Sequence, residues 1–142
     1  MKKITLLSLL ISTALYSCQE NKETKLQKIS NEAILIHDEI MPQISNFDRQ
    51  SLKIDSILGN LADFHAAQPQ LDSNTLKVEL GQLQNEIEAA TDNMMTWMKD
   101  YNPSESDLVV QEKMLNRVQE MKKQFESVNN KINNSLTPLL TK

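Results

Sequence analysis

Apolar residues recur at alternating steps of four and three along most of the chain. Leu76, Leu80, Leu83, Ile87, Ala90, Met94, Trp97 and Tyr101 form the cleanest series. Met114, Val118, Met121, Phe125, Val128, Ile132 and Leu136 form a second. Both have heptad spacing, which places one apolar stripe on one face of a helix. Upstream, Ala33, Ile36, Ile40, Ile44, Phe47, Ile54, Leu58 and Leu61 make a rougher stripe. Ser51 fills one of its slots, and two successive steps of four mark a local stutter. The spacing predicts helices over about 26–64, 73–101 and 103–136.

Breakers separate the three. Pro69 is followed by Asp72, Ser73 and Asn74, all good N-caps for a second helix. Asn102 precedes Pro103 and Glu105, which reads as a third-helix start with proline at the first helical position. Pro42 lies inside the first pattern and predicts a kink near 38–42. Pro138 is expected to help end the third helix. Three amphipathic helices with short connections bury their stripes best as an all-α, up-down-up, coiled-coil-like bundle. Each arm of about 30 residues would span about 45 Å. A long coiled coil that oligomerises is the other architecture, and the proline-bearing breaks count against it.

Composition supports helices: two Gly and four Pro in 142 residues are few for tight-turned sheets. The start of the chain adds a location. Lys2 and Lys3 precede an apolar run from Ile4 to Tyr16. The run is too short to span a bilayer, which needs roughly 20 residues, and has signal-peptide character. Residues 1–17 are therefore expected to be removed. Leu15-Tyr16-Ser17-Cys18 resembles a bacterial lipobox. That resemblance implies cleavage before Cys18, diacylglyceryl attachment to its thiol and acylation of the new amino terminus. Two or three acyl chains anchor a protein firmly, where one holds only marginally. Residues 18–25 would be a lipidated tether and 26–142 the bundle domain. The polar QENKETK after Cys18 resembles the export tether of Bacteroidota surface lipoproteins, so an outer-membrane location is expected, with its surface and periplasmic faces both open.

Charge and cysteine usage narrow the partners. Loss of Lys2 and Lys3 takes the formal net charge from −4 to −6. An acidic chain with no basic run argues against nucleic acid. The single Cys leaves no disulfide framework. The expected partners are the membrane, through covalent lipid on Cys18, and an unidentified protein. Self-association through exposed seam positions stays open.

The stretch MMTWM at 94–98 holds the only Trp. In a hairpin centred near residue 68 or 69, IHDEIMP (36–42) faces MMTWMKDY (94–101), with Met41 opposite Met95 and His37 near Tyr101. A His-Asp-Glu-x-Met-Pro motif followed by Met-x-x-Trp-Met is similar to small helical Bacteroidota lipoproteins often labelled "viral A-type inclusion protein". The label implies nothing viral, and the family carries no established activity to transfer. Thioethers with an imidazole suit Cu(I), so His37, Met41, Met94 and Met98 beside Trp97 are candidate ligands. Packing explains the same residues, since Met94 and Trp97 occupy core slots and Met fills gaps against aromatic rings. A partner groove is the third reading.

Other chemistry lacks its residues. A di-iron bundle needs Glu-x-x-His, but Ile34 and Ala62 precede His37 and His65 by three. Covalent haem needs two Cys. Neither GxSxG nor a phosphate-binding glycine loop occurs. Asp38, Glu39, Glu86 and Glu88 read as solvated helix faces, and His65 as an exposed loop residue. The expected function is that of a non-enzymatic, lipid-anchored envelope protein with a structural or interaction role. Cu(I) binding by the His/Met/Trp cluster is the alternative.

Overall fold

Asn21 opens the first helix by accepting the Glu23 N–H, and α1 runs Lys22–Ile40. The computed structural model describes residues 21–140; the expected signal peptide and Cys18 lie outside them. Helix thus claims residues 22–25, which were expected to belong to a polar tether. Pro42 has no N–H for the Asp38 carbonyl, and α1 gives way to one 3-10 turn, Met41–Gln43. The α-helix is interrupted at the stretch where a kink was expected. Next come α2, Ile44–Gly59, and α3, Leu61–Ala67. Between them Asn60 turns its side chain back to donate to the Ser56 carbonyl.

Asp72 caps α4, Ser73–Asp100, by accepting the Thr75 N–H at 2.7 Å. This hydrogen bond holds the Asp72 carboxyl below the usual carboxylate range. The following helix corrects a sequence expectation. α5 runs Leu108–Lys131 and is capped by Asp107, not by Asn102. Asn102 closes a local turn: its side chain accepts the Ser104 N–H, and its carbonyl accepts the Glu105 N–H. The same carbonyl takes a hydrogen bond from the buried Gln111 side chain at 2.8 Å. Residue 102 is therefore tied down from α5, and Pro103 starts no helix. At the far end a π turn, Ile132–Leu136, widens the helix before Pro138, and α6 continues over Thr137–Leu140. Pro138 was expected to help stop the helix; the wider turn shifts the hydrogen-bond register just ahead of it.

Helix accounts for 88 % of the described residues, with no strand among them. Three seams join the helices. Along α1 and α5 the numbering rises together: Lys25 pairs with Glu112, Glu32 with Gln119, Glu39 with Lys122 and Gln43 with Asn129. Along α4 and α5 it runs oppositely: Asp100 pairs with Arg117, Asn93 with Gln124 and Glu86 with Lys131. Gln84 on α4 bonds Asp55 on α2. The core between the seams is the three heptad stripes, centred on the Phe47 and Phe125 rings at 4.9 Å. Among the described residues, no helix is long and apolar enough to cross a membrane.

Candidate functional site

Trp97 points into the space between α1, α4 and α5, and is 2 % exposed. Its indole N–H donates to the Met114 carbonyl on α5 at 2.9 Å. Its ring stacks with Tyr101 at 4.4 Å and with His37 at 5.7 Å. Tyr101 in turn bonds Ser30 on α1. A loop-centred hairpin places His37 near Tyr101, but His37 meets Trp97, and Tyr101 reaches a residue two turns earlier. On the loop side, Gln84 and Asp55 keep the simple register. The irregular turn at Met41–Gln43 lies between the two places.

The methionines separate by depth. Met94 is wholly buried in the core, and Met41 is half-buried against it. Met98 and Met95 are 41 % and 53 % exposed. Of the other candidate ligands, Trp97 stacks on His37 across α1 and α4. His37 keeps one ligand feature. Its Nδ1 lies 2.9 Å from Asp38 Oδ1. A carboxylate only accepts, so Nδ1 carries the hydrogen and a neutral ring presents a lone pair at Nε2. That Nε2 is buried and has no hydrogen-bond partner. His65 is exposed as expected but lies in the last turn of α3 rather than in a loop, with Nδ1 at 2.8 Å from the Leu71 carbonyl.

A second feature was not picked out from the sequence. Beside the core stripe of α4 runs another of heptad spacing: Gln84, Glu88, Thr91, Met95 and Met98. The first arm carries its counterpart: Ile34, Asp38, Met41, Ser45, Asp48, Leu52 and Asp55. Their α2 and α4 portions, around Asp48 and Glu88, flank a groove. Between α2 and α4 it encloses about 290 Å³, lined by Asp48, Ser51, Ile87, Glu88, Thr91 and Asp92. Leu52, 69 % exposed, and Met95 flank it along their helices. Neither stripe contains a Lys or Arg. The i, i+4 spacing of Glu88 and Asp92 was the available clue, but like spacings occur on many solvated helix faces.

The chain matches no known protein family, no curated protein and no solved structure.

Proposed function

We propose that this is a lipid-anchored protein of the cell envelope with a non-catalytic structural or interaction role, its helical segments forming three arms that run up, down and up. The observation that carries it is the sequence from Lys2 to Cys18, a basic start and short apolar run ending in Leu-Tyr-Ser-Cys. A helical domain follows after a few polar residues. The zipped pairs along α5, and the burial of Trp97 and Met94, support a scaffold whose aromatic cluster serves packing. The outer membrane is part of this proposal, from the polar QENKETK that follows Cys18. Labelling cells with an alkynyl fatty acid tests the anchor. Wild-type protein takes the label and sediments with membranes, whereas Cys18→Ser does neither. An unlabelled wild-type protein would overturn the reading.

The buried, unpartnered Nε2 of His37 favours the alternative, a Cu(I) site. His37 would supply nitrogen, Met41, Met94 and Met98 thioether sulfur, and the Trp97 face a cation–π contact. Chelator competition under reducing conditions distinguishes the two. Cu(I) binding abolished by His37→Ala supports the site, and no binding by the wild type removes it.

A further inference from the structure

The groove between the first arm and α4 is built as an unfilled helix position. A packed helix seam needs heptad-spaced side chains on the surfaces flanking the incoming helix, so that its knobs enter their holes. Two such stripes are present, and both face outward. Thr91 and Gln84 are half-buried at the groove, Ile87 forms its floor, and Leu52 and Met95 stand exposed one helical turn beyond its lining residues Asp48 and Thr91.

Charge selects the occupant. Every ion pair between helices among the described residues has one partner on α5. Asp48, Glu88 and Asp92 form none, and Asp55 meets only the neutral Gln84. Glu88 and Asp92 repel each other one turn apart, and the groove supplies no cation to relieve them. Along α4 the acidic centre gives way to Met95 and Met98. A matching helix carries Lys or Arg opposite the carboxylates and apolar side chains opposite Leu52 and Met95.

We infer that this groove docks a basic amphipathic helix of a partner protein. The inference rests on the interaction reading above and gives that partner its chemistry.

The test uses the full lipidated chain in detergent micelles, with a synthetic helical peptide of leucine and lysine at heptad spacing as probe. A leucine–glutamate peptide is the control. The expected result is saturable binding of the basic peptide alone, weakened by salt. Amide NMR shifts should be confined to residues flanking the groove. D48N/E88Q/D92N should weaken binding about tenfold or more, as expected when several charge pairs are lost together. Circular dichroism checks that this variant remains helical; its three sites are exposed. E105Q/E120Q/E126Q, away from the groove, should bind as wild type. Equal loss in both variants, shifts along α5, or binding of both peptides would overturn the proposal. So would sedimentation showing that the groove is filled by a second copy, or amide shifts showing that it is filled by detergent. If the peptide fails but the lipidated protein retrieves an envelope partner through another face, the groove proposal falls and the interaction reading stands. If it retrieves none, both fall.

Discussion

The α5 seams and the α2–α4 groove are made from similar residues and end in different states. On the α5 side, Lys25, Arg117, Lys122 and Lys131 each reach a carboxylate on a neighbouring helix. On the other side, carboxylates face solvent with no cation beside them. The charge on one helix does not decide this, because α1, α2, α4 and α5 each carry both signs. The difference lies in which faces meet. α5 spends its cations on both of its neighbours, and the first arm and α4 have none to offer each other across their groove. Surface pairs contribute little individually. The contrast therefore teaches more about where a partner fits than about what holds the fold together.

The largest expected effect lies beneath both regions. Phe47 and Phe125 are fully buried and join α2 to α5. Either ring replaced by Ala should cost about 3–5 kcal/mol in denaturant unfolding. The double variant should cost less than the sum, because the rings touch. Full additivity would show that the ring pair does not couple the two sides. Next is Trp97→Phe, which removes the donor to the Met114 carbonyl and part of the stacked surface. A loss of about 1–3 kcal/mol is expected, and an unchanged midpoint would mean that Trp97 does not tie α4 to α5.

Smaller effects sharpen the contrast itself. Lys25→Met breaks a pair on the α1–α5 seam and should cost about 0.2–1 kcal/mol, less in high salt. Glu88→Gln in the groove should cost nothing, and relief of its repulsion with Asp92 should add about 0.2–0.5 kcal/mol. Equal losses at the two sites would erase the distinction. The smallest effects are in pH. Lys122 is raised above the usual lysine range by its hydrogen bond to Glu39. Its contribution is complete below the ordinary lysine value and is lost as pH rises through the raised one. Asp72 is lowered, so its contribution is present above the ordinary aspartate value and is lost as pH falls through the lowered one. Lys122→Met should flatten only the alkaline limb of a stability profile, and Asp72→Asn only the acid limb.

The core was legible because heptad spacing is a property of one helix at a time. From Leu76 to Trp97 and from Met114 to Leu136, every position in the two clean stripes is buried. The first arm was legible in part: its break at Pro42 was expected, and the second break, at Asn60 between α2 and α3, was not. The start of α5 was not, because Asn102 and Asp107 are both competent caps. The choice turns on Gln111 reaching back to the Asn102 carbonyl, a contact nine residues away in sequence. His37 lay near its expected place, but it stacks on Trp97 rather than meeting Tyr101. The open groove was the hardest feature to foresee. Glu88 read as solvated surface, and it is exposed. Its meaning comes from Asp48 standing across from it, and only the folded pairing of α2 with α4 supplies that.

A partner helix is expected at this groove and not on the zipped side. Site-specific photo-crosslinking in intact cells tests it most directly, with the crosslinker placed at Met95 beside the groove or at Leu35 on the outer face of α1. The account predicts one defined adduct from Met95, absent from Leu35 and lost when Asp48, Glu88 and Asp92 are neutralised. Mass spectrometry should place the crosslinked residue on a Lys- or Arg-rich amphipathic helix. An adduct from Leu35 alone, or a Met95 adduct that survives neutralisation of the three carboxylates, would contradict it.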